Sequence, residues 1–228
     1  MSKFVKRPAP PEGFEVIRPT LDALSDELRD RAAEHYQGNR AGEANWPIIQ
    51  INWQRTRYVH EMYYKYGRIS QAVYEYCCKH KLIDGALSAK WLEQGYEKLC
   101  SLRVVDPKSH AFMTTSVCRV PRQSLAEGTV VREPFSGCRG CASGAAGQDN
   151  IFGNKYGQSL AAIQIRREEK LAAELEDEAR QEADEAERKK AAKKDKKKKK
   201  KRDGVWDDDD AAVGGDGEPA PKVAKEGE

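Results

Sequence analysis

Apolar side chains recur at helical spacing from the start of the compact part of the chain. Leu21, Leu24 and Leu28 follow one another three or four positions apart, which places them on one face of an amphipathic helix. Thr20 stands where an N-cap is needed, so the pattern predicts a first helix from there to about His35.

Three further helices are predicted before residue 101. The second spans roughly Trp46–Tyr66 and has Pro47 in its first turn, where the missing N–H costs little. Ser70 caps a third helix. A fourth, Leu87–Cys100, follows the turn signal Asp84-Gly85.

The helical period disappears after Cys100. Short strand-like pieces, Val117–Val120 and Thr129–Arg132, alternate with turns as far as Gly144. A lobe of this size is too small to build a core of its own, so the pattern indicates that another element holds it together.

Large apolar side chains are concentrated in the first two thirds of the chain. Residues 1–150 contain three of the four Trp, eight of the nine Tyr and all six Cys, with 21 Lys/Arg against 17 Asp/Glu. Residues 151–228 carry 19 basic and 20 acidic residues and few large apolar ones. The first part can bury a core. The second cannot offset the entropy of ordering and is predicted to be extended or disordered.

Hydropathy argues against a membrane protein. No stretch approaches the roughly 18–20 apolar residues that a membrane helix needs, and residues 1–13 lack the apolar run of a secretory signal. The composition therefore predicts a soluble protein of a reducing compartment, with no membrane partner. Six cysteines in that setting are more typical of metal ligands or buried thiols than of disulfides.

Charged residues dominate the second part. Glu185 and Lys189 stand at i,i+4 spacing in a stretch rich in Glu, Ala, Arg and Lys, which favours a solvated single helix. Lys189–Arg202 is typical of a nuclear-localisation signal or a phosphate-binding tail, and a solubilising run is the simpler alternative. The basic residues of this predicted nuclear-localisation signal are Lys189, Lys190, Lys193, Lys194, Lys196, Lys197, Lys198, Lys199, Lys200, Lys201 and Arg202.

Four cysteines, from the end of the fourth predicted helix onward, form a candidate metal site. Cys138 and Cys141 make a Cys-x-x-Cys knuckle, whose two thiolates can curl round one tetrahedral Zn²⁺. The same spacing serves thiol redox chemistry, but here it follows Pro134 and precedes a Gly/Ala-rich run, not the strand and helix of a thioredoxin-like site. Cys100 and Cys118 fall in the same non-periodic lobe and complete the set.

The other candidate ligands have simpler interpretations. Cys77 and Cys78 are adjacent in a predicted helix, where their side chains point about 100° apart, so they are a poor chelating pair and are expected to be packed thiols. His110 could replace a cysteine ligand, and a plain surface-loop histidine is the alternative.

These patterns together predict a mainly α fold. Four helices form the N-terminal part, a small irregular C-terminal lobe is stapled by zinc, and a charged helical and disordered tail follows. The predicted organisation is an extended arm at 1–19, a helical part at 20–100, a zinc-binding lobe at 101–147, a linker or docking motif at 148–164, a charged helix with a basic run at 165–202 and a disordered acidic tail at 203–228.

Several short motifs, in order along the compact part, resemble one known family. They are Trp46-Pro47-Ile48, Gln54-x-Thr56-Arg57-Tyr58, Tyr74-Glu75-Tyr76-Cys77, Gln94-Gly95-Tyr96-Glu97-x-Leu99-Cys100, Cys118-Arg119-Val120-Pro121 and Gly137-Cys138-Arg139-Gly140-Cys141. Together they resemble the signatures of the bud-site-selection protein 31 family, over about residues 10–144. Each motif alone is weak evidence for the family, but their combination in this order is highly specific.

The resemblance implies a function that composition and spacing do not reach. Members of that family are structural components of the spliceosome in pre-mRNA splicing, with a helical N-terminal part and a cysteine-rich, zinc-holding C-terminal part. The family pattern implies a nuclear scaffold that is not an enzyme. Its partners would be spliceosomal proteins, including the large U-five scaffold protein, together with small nuclear RNA and pre-mRNA.

The chain departs from the family pattern at several ligand positions. Ser101 and Val104 stand where two cysteines follow the Gly-Tyr-Glu-x-Leu signature. Ser116 replaces the first Cys of a Cys-x-Cys, and Glu133 and Ser136 replace a Cys-x-x-Cys. The multi-zinc cluster of the family cannot form with so few ligands. The cysteines that remain outside the helix predict one structural Zn²⁺ held by Cys100, Cys118, Cys138 and Cys141.

Basic residues on the second helix are candidates for RNA or partner contact. Arg55, Arg57, Lys65 and Arg68 stand among aromatic residues, and contacts from such a face to phosphates would be independent of sequence and sensitive to salt. A solvated helix face is the simpler interpretation.

Two functions of other classes remain as alternatives. One is a basic-tailed general RNA or chromatin binder that works through Lys189–Arg202, and the other is a thiol oxidoreductase that uses Cys138 and Cys141. No catalytic constellation and no phosphate-cradling loop is present in the sequence. We therefore expect no catalytic residues and no small-molecule substrate.

Overall fold

The computed structural model describes residues 8–34, 42–110, 112–143, 150–154 and 157–202. Five α-helices are present in this part of the chain, and short 3₁₀ turns connect them. The helices are α1 at Arg18–Ala33, α2 at Trp46–His60, α3 at Gln71–Lys79, α4 at Gly85–Lys90 and α5 at Leu160–Arg202. No strand occurs among these residues, so the predicted mainly α fold is confirmed.

Helix α2 is the central element of the first compact unit, which ends at Glu169. It begins at Trp46 as predicted, but it ends at His60 and continues as a π-helical turn at Glu61–Lys65. Its buried residues lie on nearly all sides, including Ile51, Trp53 and Val59. Helix α2 therefore packs between the helical core and the cysteine lobe.

Two apolar clusters meet along α2. The first gathers α1, α2 and α3 around residues such as Ile17, Met62 and Val73, each 0% exposed. The second packs Trp53 with Trp91 and with the four cysteines of the irregular lobe. The cysteine lobe therefore shares its core with the helical part.

The predicted extended arm contains a docked segment. A 3₁₀ turn at Phe14–Val16 leads directly into α1, which starts at Arg18, before the predicted cap. Phe14 is buried and meets the ring of Tyr76 edge-on at 5.5 Å. The burial of Phe14 and Ile17 anchors this turn to the helical part, so the arm is not extended throughout.

The fourth predicted helix is wrong in its extent. Helix α4 covers only Gly85–Lys90, capped by the Asp84 carboxylate, which accepts from the N–H of Leu87 at 3.0 Å. Gly95 has a φ of +93°, a left-handed conformation incompatible with a continuing helix. Trp91 and Leu99 are nevertheless buried, as expected, because the irregular chain still turns them inward.

The strand-like pieces form no strands. Val117–Arg119 is a 3₁₀ turn, and residues 129–132 have no ladder partner in the described structure, with Val130 86% exposed. Pro121 follows the first piece and lacks the N–H that a ladder would use. Without pairing, β-branched residues alone do not make a sheet.

The segment after the cysteine lobe packs back onto the same unit. Ile151 and Phe152 are 1% and 6% exposed, and the ring of Phe152 meets Trp53 edge-on at 5.5 Å. The Arg139 N–H donates to the Ile151 carbonyl at 2.7 Å. This burial differs from the expectation of a linker or of a motif that docks on another protein.

The start of α5 belongs to the first compact unit. Ala161 and Ile165 are buried in the first cluster, and the Tyr58 hydroxyl donates to Gln164 Oε1. From Lys170 the helix belongs to the second unit and its described side chains are exposed, with the predicted Glu185–Lys189 pair formed at 2.7 Å. The predicted disordered tail at 203–228 lies outside the described residues.

Among the helices of the described residues, none is both long enough and apolar enough to span a bilayer.

Candidate metal centre

Four cysteine sulfurs converge in the irregular lobe. Their Sγ atoms all lie within 4.8 Å of one another, and each residue is at most 1% exposed. They are the four that the sequence analysis selected: Cys100, Cys118, Cys138 and Cys141. No other group of three or more His, Cys, Asp or Glu in the described structure has this arrangement.

The distances between the sulfurs match a thiolate cage round one small cation. Cys141 Sγ lies 3.7 Å from that of Cys100 and 3.8 Å from that of Cys118, and the last two are 4.0 Å apart. Four sulfurs about 2.3 Å from a tetrahedral zinc are about 3.8 Å from one another. Disulfide sulfurs are about 2 Å apart, and all six cysteines are free.

The Cys-x-x-Cys knuckle owes its shape to two glycines. The Gly140 N–H points at Cys138 Sγ at 3.4 Å, and Gly140 has a φ of +133°. Gly137 has a φ of +70°, and a Cβ there would lie 2.8 Å from Trp46 Cδ2. Only glycine allows the backbone to turn with the indole packed against it.

The first two cysteines are positioned by neighbouring secondary structure. Cys118 lies in the 3₁₀ turn Val117–Arg119, and its carbonyl accepts from the Cys141 N–H at 2.9 Å. Cys100 follows Leu99, whose carbonyl accepts from both Trp53 Nε1 and Trp91 Nε1 at 2.8 Å. The helical part thereby fixes one ligand and the lobe the other three.

Arg119 links the knuckle to the loop after α4. Its guanidinium donates to the carbonyl of Gly95 at 2.7 Å and to that of Cys141, and it lies 3.8 Å from Cys141 Sγ. The same group lies over the Tyr96 ring, 4.9 Å from its centre. A positive charge at this position offsets the negative charge of thiolate ligands.

The thiols are electrostatically unequal. Hydrogen bonding with Cys118 and the other thiols, together with burial, raises the pKa of Cys100 well above its ordinary value. Hydrogen bonds from the same set, Cys100 first, lower the pKa of Cys141. Four thiolates at this spacing would repel one another strongly, so full ionisation needs a cation among them.

The remaining thiols lie elsewhere. Cys77 is 0% exposed in the first apolar cluster, and burial raises its pKa to about 12. Cys78 is partly buried beside it on α3, with its Sγ 3.2 Å from where a Cβ on Gly85 would stand. His110 Nε2 lies 3.2 Å from the carbonyl of Val104, and His110 is not part of the four-thiol group.

The four predicted RNA-contact residues have different surroundings. Arg57 pairs with Glu61 at 2.9 Å and stacks over Trp91 at 5.2 Å. Arg68 pairs with Glu168 at 3.4 Å. Lys65 is exposed over the Tyr66 ring. Arg55 is half-buried, its Nε has no hydrogen-bond partner, and burial lowers its pKa.

A second basic surface lies in the irregular lobe. A cleft of about 710 Å³ in segment 120–140 is lined by Arg122, Arg132 and Arg139, all exposed, with Glu127 as its acidic residue. None of the three arginines forms an ion pair in the part of the chain that the structure describes. No signal in the sequence groups them, because they are spaced without a regular period in irregular backbone.

The fold and the site together define a small helical protein with a cysteine-stapled lobe. The family model described as "Pre-mRNA-splicing factor BUD31" matches residues 1–143. The chain belongs to this family of pre-mRNA-splicing factors, so the resemblance inferred from its motifs is confirmed.

Individual relatives agree with the family match. The Protein BUD31 homolog of Branchiostoma belcheri is 45% identical over 136 residues, 60% of this chain and 94% of the homolog. Pre-mRNA-splicing factor BUD31 of Saccharomyces cerevisiae is 42% identical over 148 residues, 60% of this chain and 93% of that protein. Pre-mRNA-splicing factor cwf14 of Schizosaccharomyces pombe is 41% identical over 134 residues, 59% of this chain and 91% of that protein.

Proposed function

We propose that this protein is a structural, non-catalytic component of the spliceosome, where it holds protein and RNA surfaces together near the catalytic core in the nucleus. The observation that carries the proposal is the family match over residues 1–143, which includes most of both apolar clusters and all four clustered cysteines. Spliceosomal proteins, including the large U-five scaffold protein, small nuclear RNA and pre-mRNA are the partners that this function implies.

The four-thiol site is proposed to hold one structural Zn²⁺. A set of four sulfurs is the ligand set of structural zinc sites, and the separations of 3.7–4.0 Å support this assignment. A four-thiolate zinc has no open coordination position, so it would cross-link the lobe and leave no place for a substrate. The cross-link would tie Cys100, in the irregular segment after α4, to Cys141 of the knuckle, 41 residues later.

A thiol oxidoreductase is less well supported by the same geometry. Cys138 and Cys141 are 0% exposed, and neither sulfur can reach a substrate disulfide without local opening. In the described structure no strand precedes the knuckle.

Contact with RNA phosphates is proposed for two surfaces. The first holds Arg55 of α2 and Lys65 of the π-helical turn that follows it, whereas Arg57 and Arg68 are already paired with glutamates. The second is the cleft with Arg122, Arg132 and Arg139. These three arginines and Glu127 together give its lining a net charge of about +2. Uncompensated guanidinium groups are the better phosphate ligands, so the cleft is the stronger candidate.

Affinity purification of the tagged full-length chain from nuclear extract tests the function. We expect spliceosomal proteins and small nuclear RNAs to be retained at moderate salt, both by the complete chain and by a variant with the Lys189–Arg202 lysines replaced by glutamine. Retention of random RNA that washes off as salt rises, and that is lost in the glutamine variant, would instead support the general basic-tailed binder.

A further inference from the structure

Two polar side chains are buried in the segment just before Cys138. Glu133 is 3% exposed and Ser136 is 0% exposed, although both stand in an irregular loop. A buried carboxylate or hydroxyl is costly unless hydrogen bonds satisfy it. Their partners therefore indicate what these residues do.

The Ser136 hydroxyl is the centre of the group. It lies 2.6 Å from Glu133 Oε2, accepts from the Cys138 N–H at 3.3 Å, and lies 3.7 Å from Cys100 Sγ. One hydroxyl thus contacts a cysteine from each end of the site, the sulfur of Cys100 and the backbone of Cys138.

Glu133 forms hydrogen bonds to Ser136, which carries this hydroxyl, and to the two residues that follow it. Its carboxylate accepts from both the N–H and the O–H of Ser136. Its backbone N–H donates to the Cys138 carbonyl at 2.9 Å, and its own carbonyl accepts from the Gly137 N–H at 2.8 Å. These hydrogen bonds connect residues 133–138 to one another without using any of the four sulfurs.

We infer that Glu133 and Ser136 are positioning residues that preorganise the four-thiol site, holding Cys100 Sγ and the Cys138 knuckle in the geometry that a metal ion requires. The inference rests on the metal assignment under the proposed function. Residues around a metal site that orient its ligands raise metal affinity, and their loss typically costs about 10- to 100-fold. Ser136 and Glu133 perform this role through one shared hydroxyl.

The test measures zinc affinity of the full-length protein by competition with a chromophoric chelator. We expect Ser136→Ala and Glu133→Ala each to weaken zinc binding about 10-fold or more. Because both act through one hydroxyl, the double variant should lose little beyond either single variant. Glu133→Gln keeps an acceptor oxygen for Ser136 and should recover part of the loss. The absorption bands of the Co²⁺-loaded protein should shift in Ser136→Ala, because the surroundings of the Cys100 thiolate change.

Ser88→Ala is the matched control. Ser88 is also 0% exposed and also has two hydrogen-bond partners, His60 Nδ1 and the Tyr74 hydroxyl, both at 2.8 Å, but it lies away from the thiols. Ser88→Ala should lower the free energy of unfolding about as much as Ser136→Ala does. Its zinc affinity should nevertheless stay within about twofold of the wild type.

Two results would overturn the inference, and they differ in what else they affect. If the wild type binds zinc and the two variants Ser136→Ala and Ser88→Ala change zinc affinity equally, the positioning role alone is refuted. A wild type that binds no metal would refute the metal assignment as well. If Ser136→Ala does not fold, the zinc affinities of Glu133→Gln and Glu133→Ala test the positioning role instead. Equal affinities of these two variants would refute it.

Discussion

Trp53 and Trp91 donate their indole N–H groups to the same acceptor, the carbonyl of Leu99, each at 2.8 Å. Their rings meet edge-on with centroids 5.6 Å apart. Because Leu99 precedes Cys100, the pair fixes the backbone that presents the first thiol of the site. The helical core and the cysteine lobe are therefore joined by hydrogen bonds as well as by apolar contact.

Replacing either indole should destabilise the protein, and replacing both should cost more than the sum. Trp53→Phe or Trp91→Phe leaves the Leu99 carbonyl one donor, at a cost of about 1–3 kcal/mol each. The double variant leaves a buried carbonyl without a donor, which adds a desolvation penalty. Urea unfolding of the four proteins measures this coupling. Additive effects would show that the shared acceptor is unimportant.

Removal of the metal should unfold the lobe and spare the first apolar cluster. We expect one zinc per chain in the purified protein and, after chelation, loss of amide protection in residues 100–143, because the lobe lacks a core of its own. Helices α1 to α3 should keep their protection, since Ile17, Val59 and Val73 pack in a cluster that contains none of the four metal-site cysteines. Metal analysis and hydrogen exchange check this. No zinc, or two or more tightly bound ions, would contradict it.

Acid should destabilise the fold through His60. Burial, and then the charge of Arg57, lower the pKa of His60 to about 4 from an ordinary 6.5. The unfolded chain therefore takes up a proton first, so this contribution to stability is present above pH 6.5 and is lost as the pH falls toward 4. It is at most about 3 kcal/mol.

The comparison with His60→Asn isolates this effect. Asparagine can still bond to Ser88, which His60 Nδ1 contacts at 2.8 Å, but it does not titrate. Urea unfolding between pH 7 and pH 4 should show a steeper loss for the wild type than for the variant, with the acid sensitivity of the thiols common to both. Parallel curves would exclude His60 as the source.

Neutralising the arginine cleft should weaken RNA binding and lower its salt dependence. Replacing Arg122, Arg132 and Arg139 by glutamine removes three phosphate contacts, which should reduce the slope of log affinity against log salt by about 2 for a single-stranded oligonucleotide. Fluorescence anisotropy with the full chain and oligouridylate measures it. The control variant carries glutamine at three arginines of α1, Arg18, Arg29 and Arg31. Equal slopes for both triple variants would mean that the cleft binds no phosphate.

The basic run should direct the protein to the nucleus. Replacing the lysines of Lys189–Arg202 by glutamine keeps residues that favour a helix while removing the charge that an import receptor would read. Microscopy of a large fluorescent fusion, too big to diffuse through nuclear pores, should show cytoplasmic retention of the variant. Glutamine at Lys170, Arg180 and Arg188, in the same helix, is the control. Nuclear accumulation of both variants would assign import to a partner.

The sequence by itself determined the helical class, the start of α2 and the selection of four cysteines. Helical periodicity, cap residues and the Cys-x-x-Cys spacing are local features, and each acts over a few residues. The motif order also determined the family, because it needs only residue identity. The choice of Cys100 and Cys118 over Cys77 and Cys78 followed from the disappearance of the helical period.

Only the tertiary structure decided where α4 ends, which basic residues are neutralised and what supports the thiols. Arg57 meets Glu61 through helical spacing, but Arg68 meets Glu168 across 100 residues, and Ser136 meets Cys100 across 36. Such contacts depend on packing between distant segments, which no local pattern encodes. The prediction of a linker or docking motif at 148–164 misses the burial of Phe152 for the same reason, because Phe152 packs against the distant Trp53.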